Sequence, residues 1–150
     1  MSEYARPTNT TNPILDPVLY FRIAALALTA VTILGLVLGI LYGGGAADAE
    51  DQILSFGSHH GLGLTWTHTA VHGVLALASF VFGYAGLPGK VTRVLAIVFG
   101  LVYGALGVLG FLLSNPLGDG LALNLGVTLN AVHILLGAWA LTAGLAARYD

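Results

Sequence analysis

Charged residues divide this 150-residue chain into four long uncharged stretches. The stretches lie between Arg22 and Asp48, between Asp51 and Lys90, between Arg93 and Asp119, and between Asp119 and Arg148. Each one is longer than the about 20 apolar residues that a helix needs to cross a bilayer. The sequence therefore predicts an all-α fold, a four-span transmembrane helix bundle with up-down-up-down topology.

The composition agrees with a membrane protein and excludes several classes of function. Hydrophobic residues make up 57% of the chain and charged residues only 8%, whereas soluble domains carry about 25% charged residues. The absence of cysteine excludes disulfides, thiolate metal sites and cysteine nucleophiles. A net charge of −2 provides no basic surface for nucleic acid. We expect the partners to be membrane lipid and either other membrane-protein subunits or further copies of this chain.

A polar N-terminal tail, residues 1–17, precedes what we interpret as a single transmembrane domain, residues 18–150. Within that domain the predicted spans are residues 18–42, 61–85, 92–113 and 121–147. Clusters of glycine and proline at residues 86–89 and at Asn115-Pro116 indicate where the second and third spans end.

The cationic residues predict the orientation of the chain. All five lie on one side, at or before the start of the first span, between the second and third spans or at the start of the third, and after the fourth: Arg6, Arg22, Lys90, Arg93 and Arg148. The opposite loops contain acidic residues and no lysine or arginine. By the positive-inside rule both termini are predicted to be cytoplasmic, in a multi-pass protein of the plasma membrane.

A short motif occurs twice. Residues 67–72 and 128–133 share T-x-x-A-V-H, and the two histidines that end the motif are 61 residues apart. At the same offset, residues 39–43 align with residues 100–104 as G-x-x-Y-G. The repetition suggests a tandem duplication of a two-helix hairpin, with the halves related by an axis along the membrane normal.

Two histidines lie deep inside the predicted spans. His72 and His133 each lie 11–12 residues from the outer end of their span, which is about 17 Å in a helix and near the middle of the bilayer. A side chain of this kind at that depth is expected to face the bundle interior and to have a partner. His68, one turn before His72, shares its helix face, and Thr69 and Asn130 extend the same polar stripe.

At these positions the chain resembles a known family. Asn130, His133 and Gly137 form N-x-x-H-x-x-x-G in the fourth predicted helix, and residues 68–76 read H-T-x-x-H-x-x-x-A in the second. The first motif matches, and the second departs in two places from the H-N-x-x-H-x-x-x-G of a family of small four-helix bacterial and archaeal membrane proteins, domain of unknown function four-three-eight-three. The resemblance implies the four-helix fold and the importance of the polar stripe, and it implies no reaction.

Three interpretations of the histidines remain open at this stage. In the first, neutral histidines hydrogen-bond between helices, and the protein is a non-catalytic accessory or scaffolding subunit that packs against other membrane helices. In the second, His72 and His133 bind a b-type haem for electron transfer. In the third, His68, His72 and His133 bind a metal ion and leave one coordination position open. The sequence offers no carboxylate inside a span, no phosphate loop and no activated serine, so we do not predict an enzyme.

Glycines spaced four residues apart predict how the helices pack. Small residues in such rows let helices approach closely in lipid, where packing replaces the hydrophobic effect. The glycines assigned to helix packing are Gly35, Gly39, Gly43, Gly100, Gly104 and Gly137.

Overall fold

The computed structural model of the protein describes residues 12–42, 66–112 and 127–149, and the regular structure of these residues is entirely helical. A short 3-10 turn, Pro13–Leu15, precedes four helices. These are α1 (Pro17–Tyr42), α2 (Trp66–Tyr84), α3 (Gly89–Leu112) and α4 (Val127–Ala146). The all-α prediction is confirmed for the described residues. Three parts of the sequence prediction lie outside the described residues: the start of the polar tail, the outer loops with His59 and His60, and Gly43.

Three of the helices are long and apolar enough to cross a membrane: Pro17–Ile40 of α1, and the whole of α3 and α4. The 19-residue helix α2 is not among them. Its first two turns contain two threonines and two histidines, Thr67, His68, Thr69 and His72, which lower its mean hydropathy. Three of these residues, His68, Thr69 and His72, belong to the polar stripe predicted from the sequence.

Local sequence explains where α1 begins and where α2 ends. The Asp16 carboxylate accepts a hydrogen bond of 2.9 Å from the Val18 amide and so caps the start of α1, where Pro17 has no amide hydrogen to satisfy. After α2 the chain turns at Gly86, whose φ of 67° lies in the left-handed region that glycine adopts without steric cost. Pro88 then leads directly into α3.

The helices associate as two hairpins, because α1 packs mainly against α2 and α3 mainly against α4. The same kind of contact occurs in both. Arg22 Nε donates to the Gly83 carbonyl at 2.9 Å, and Arg93 Nε donates to the Gly144 carbonyl at 3.1 Å. Each bond joins the start of one helix to the end of the next, as in an antiparallel pair. We call this end of the bundle, with Arg22, Arg93, Gly83 and Gly144, the arginine end.

These contacts change the alignment of the two hairpins that the sequence suggested. Gly83 and Gly144 are 61 residues apart, like the two histidines, but Arg22 and Arg93 are 71 residues apart. At an offset of 71, Gly39 matches Gly110 rather than Gly100. The two offsets differ because residues 43–65 connect α1 to α2, whereas the shorter segment 113–126 connects α3 to α4. A single offset therefore cannot align both helices of each hairpin.

Apart from a buried cluster around Tyr20 and Phe21, side chains are distributed as expected in lipid, with mostly small or polar residues inside and large apolar residues outside. Ser79, Thr92, Ala96, Ala140 and Ala143 are fully buried. Large apolar side chains are instead exposed on the outer surface of every helix, including Leu26, Val74, Leu77, Leu101 and Leu135.

Two glycines of α1 face side chains of α2. A Cβ atom at Gly35 would meet the side chain of Thr69, and a Cβ atom at Gly39 would lie 2.7 Å from the ring of Trp66. Both glycines were assigned to packing from the sequence. A larger residue at either position would have to displace a side chain of α2.

The α3–α4 contact is closer at Gly100 and Gly137, because these two glycines face backbone. A Cβ atom at Gly100 would lie 2.6 Å from the Leu141 nitrogen, and one at Gly137 would lie 2.5 Å from the Gly104 nitrogen. Gly104 itself has open space beside its own Cβ position, so it contributes by leaving room for Gly137. Five further glycines that the spacing argument did not select also contact the partner helix within each hairpin: Gly73, Gly83, Gly107, Gly110 and Gly144.

Aromatic rings join the two hairpins toward the arginine end. The buried ring of Phe21 on α1 lies 5.2 Å, between centroids, from both Phe82 of α2 and Phe99 of α3, in edge-to-face geometry. Tyr20 makes a similar contact with Trp139 of α4 at 5.1 Å. The hairpins are therefore held together by interlocking rings on this side, and the polar stripe lies farther along the bundle.

Candidate metal centre and adjoining cavity

Two histidines of α2 form the first part of the site. His68 and His72 are one turn apart, so both point from the same face of the helix. Their Nε2 atoms are 3.1 Å apart, and their ring centroids are 4.2 Å apart. His68 is 2% exposed and His72 is 7% exposed. The polar stripe of α2 therefore faces the interior of the bundle.

His133 of α4 completes the cluster from the other hairpin. It follows the first described residue of α4, Val127, by six residues, just as His72 follows Trp66. One ring nitrogen from each of His68, His72 and His133 lies within 4.8 Å of the others. His133 is only 6% exposed. The structure thus brings together the three residues that the sequence proposed as metal ligands.

The other two residues of the polar stripe pack against glycines within their own hairpins. Thr69 and Asn130 are each 2% exposed. Thr69 occupies the space beside Gly35, and Asn130 occupies the space beside Gly107 and Gly110. The structure therefore places both residues in helix packing, one turn from the histidines.

Tyr103, near the middle of α3, is a residue of the site that the sequence analysis did not select. Its ring lies 5.4 Å from the His133 ring, between centroids, and the side chain is 4% exposed. The signal was available, since a tyrosine in the centre of an apolar span has to bury its hydroxyl group. In the sequence analysis Tyr103 enters only the alignment of residues 39–43 with residues 100–104, where it matches Tyr42.

Several polar atoms of the site have no hydrogen-bond partner within the described part of the chain. They include the Tyr103 hydroxyl and the Nδ1 atoms of His72 and His133. Buried polar groups in proteins are nearly always hydrogen-bonded, and each exception calls for an explanation. All three residues line one cavity, so a single ligand or solvent site can account for these atoms together.

A cavity of about 320 Å³ adjoins the histidines. It runs between α1 and α4, and its walls are mostly alanine, valine and leucine side chains. His72, Tyr103 and His133 contribute to its inner wall, and Tyr20 and Trp139 line it toward the arginine end. His68 does not line the cavity.

The dimensions of the cluster suit a single ion. In a tetrahedral site with metal–nitrogen bonds of 2.0–2.1 Å, two imidazole nitrogens are about 3.3 Å apart. The 3.1 Å between the Nε2 atoms of His68 and His72 is close to that value. With all three nitrogens within 4.8 Å, a side-chain adjustment of about 1 Å would bring them to one ion.

The same arrangement suits a haem less well. Two axial histidines must face each other across the macrocycle, with the iron between their nitrogens. Here His68 Nε2 lies 3.1 Å from His72 Nε2, beside the position that the iron would take. The arginines that could pair with propionates, Arg22 and Arg93, lie at the arginine end, toward the opposite ends of their hairpins from the histidines.

Comparison of the chain with protein-family models, with curated proteins and with solved structures gives no match. The geometry of the site is therefore the basis for assigning a function.

Proposed function

We propose that this protein is a metal-binding integral membrane protein that holds a divalent transition-metal ion with His68, His72 and His133. One observation carries the proposal: three imidazoles from two helices converge within 4.8 Å, and none is more than 7% exposed. A three-histidine set with a fourth position left open is a recurrent arrangement for zinc in proteins. The fourth position would face the cavity that His72 and His133 line.

The ligand set indicates which ions to expect. Three neutral imidazoles are suitable for zinc, copper, nickel or cobalt, whereas magnesium and calcium require oxygen ligands. The sequence of the four helices contains no aspartate or glutamate. The site would therefore keep the full charge of its ion, which favours an anionic or strongly polar fourth ligand.

The membrane arrangement is part of the same proposal. We infer that α2 crosses the bilayer together with the three more apolar helices, because it packs along α1 in an antiparallel hairpin. All four helices would then cross up-down-up-down, with the arginine end and both termini on the cytoplasmic side of the plasma membrane. The matching Arg22–Gly83 and Arg93–Gly144 bonds support descent of the two hairpins from one duplicated unit.

An accessory or scaffolding role, and haem binding by His72 and His133, both remain predictions. The exposed apolar faces suit lipid as well as a neighbouring membrane helix. Simple hydrogen bonding between the histidines would also explain the His68–His72 contact. The ion accounts in addition for the convergence of a third imidazole, from the other hairpin, on the same place, and we therefore prefer it.

Metal analysis of the purified protein tests the proposal. The protein should be prepared without a polyhistidine tag and with His59 and His60 both replaced by glutamine, so that the three clustered histidines are the only ones left. After chelation and titration with Co²⁺ or Zn²⁺, we expect one ion per chain. The variant His133→Gln should lose most of the affinity, and Thr128→Val, a change on the exposed face of the same helix, should not.

Two results would contradict the metal proposal. One is the absence of stoichiometric binding by a folded, helical protein. The other is equal binding by the His133→Gln variant. A visible absorption spectrum of protein from native membranes addresses the haem alternative in the same sample, because a haem carrier would be coloured and zinc would not be.

A further inference from the structure

The cavity between α1 and α4 combines two properties that are seldom found together. Its walls are almost entirely apolar, yet three buried polar atoms without described partners belong to residues on its inner wall. These are the Tyr103 hydroxyl and the Nδ1 atoms of His72 and His133. An occupant has to satisfy both properties.

Water alone does not match this space. A volume of about 320 Å³ corresponds to about ten molecules of liquid water, and each buried water needs 2–4 polar partners. The wall offers far fewer polar atoms than that. Apolar cavities of protein interiors stay dry and accept apolar molecules instead.

We propose that the cavity binds a lipid-soluble small molecule that has an apolar body and one carbonyl or hydroxyl group. The polar group would contact Tyr103 and the two histidines, and the body would lie along the alanine and leucine side chains of α1 and α4. The volume is at the lower end of the range for small-molecule sites. This inference goes beyond the proposed ion, because the cavity and its unpartnered groups do not require one.

Trp139 provides an internal reporter, since it lines the cavity while Trp66 packs against Gly39 elsewhere. The probe is a benzoquinone that carries a decyl chain, which quenches tryptophan fluorescence. It is titrated into chelator-treated protein in lipid nanodiscs, so the result does not depend on the ion. The variant Trp66→Phe leaves Trp139 as the reporter, and Trp139→Phe leaves Trp66 as the control for simple partition into lipid.

We expect saturable quenching of Trp139 and only linear, unsaturated quenching of Trp66. In the Trp66→Phe background, Tyr103→Phe should weaken binding about fivefold, because it removes one hydrogen bond to the polar group. Ala27→Phe, which fills the cavity, should abolish the saturable phase. Ala30→Phe should not, since Ala30 is exposed on the same helix and does not line the cavity.

Decylbenzene, which has the same ring size and chain but no carbonyl group, separates the proposed ligand from an ordinary acyl chain. Its binding, measured by displacement of the quinone, should be at least about tenfold weaker than that of the quinone itself. Equal competition would show that any hydrocarbon fills the cavity and would overturn the proposal. Linear quenching of Trp139, or saturable quenching that survives Ala27→Phe in a protein of unchanged helicity, would overturn it as well.

Discussion

The two hairpins share a plan but differ in how closely their helices approach. In the first hairpin Gly35 and Gly39 face the side chains of Thr69 and Trp66. In the second, Gly100 and Gly137 face the backbone of the opposite helix. Side chains can rotate when a neighbour grows, whereas two packed backbones can only move apart. The second hairpin is therefore expected to behave as the more rigid half of the molecule.

The difference matters for the site, because each hairpin contributes a different part. The first supplies two histidines one turn apart, and the second supplies His133 together with the tyrosine that packs on it. An ion bound by all three would link the hairpins at the level of the polar stripe, as the rings of Phe21, Phe82 and Phe99 link them toward the arginine end. The predictions below test these roles in order of expected effect.

The largest effect is expected in the close contact of the second hairpin. Gly137→Ala places a Cβ atom 2.5 Å from the Gly104 nitrogen, and α3 and α4 must separate. We expect the free energy of unfolding to fall by about 1–3 kcal/mol. Reversible unfolding in micelles measures it. Gly104→Ala is the matched control, because its own Cβ position has open space, and an equal loss in both variants would refute the backbone contact.

In the first hairpin, Gly35→Ala should lower the free energy of unfolding by less. In Gly35→Ala the new methyl group meets the Thr69 side chain, which can adopt another rotamer. We expect a loss of about 1 kcal/mol in the same unfolding measurement. Thr69→Ala removes both the hydroxyl and the methyl group that obstruct the new Cβ atom, so Gly35→Ala should cost less in a Thr69→Ala background than in the natural sequence. A cost larger than that of Gly137→Ala would reverse the comparison between the hairpins.

Much of the fold can be predicted from the sequence, because a long apolar segment in lipid has to satisfy its backbone hydrogen bonds internally and does so as a helix. Each described helix overlaps one of the four predicted spans, although α1 and α3 begin earlier than predicted, at Pro17 and Gly89. The motif T-x-x-A-V-H placed His72 and His133 at matching positions in their helices. Spacing rules did not select Gly83 or Gly144, because their partners are arginines of another helix. Tyr103 was missed for a similar reason, since its role depends on which face of α3 meets His133.

The arginine contacts test whether the hairpins are equivalent at that end. Arg22→Gln and Arg93→Gln should each remove a hydrogen bond to a glycine carbonyl, at a cost of about 0.5–1.5 kcal/mol in unfolding. Arg22 also lies 5.1 Å from the centre of the Tyr84 ring, so its loss should be the greater of the two. In a Tyr84→Leu background this difference should disappear. If it persists, the cation–π contact is not its source.

The smallest effect is expected where the N-terminal segment meets the second hairpin. Trp139 Nε1 donates to the Ile14 carbonyl at 2.8 Å, a partly solvated bond between distant parts of the chain. Trp139→Phe keeps an aromatic ring beside Tyr20 and loses the donor. We expect a change of about 0.5 kcal/mol in stability and faster amide exchange in the turn at Pro13–Leu15. Unchanged exchange there would show that the bond does not anchor the turn.

X-ray absorption spectroscopy at the zinc edge is the most direct test of the central claim, that His68, His72 and His133 hold one ion between the hairpins. The sample is the zinc-loaded protein in nanodiscs, with His59 and His60 replaced by glutamine. The account predicts a four-coordinate site with three imidazole nitrogens at about 2.0–2.1 Å and one further light atom. A shell made only of water or other oxygen ligands, or a spectrum unchanged by His133→Gln, would contradict it.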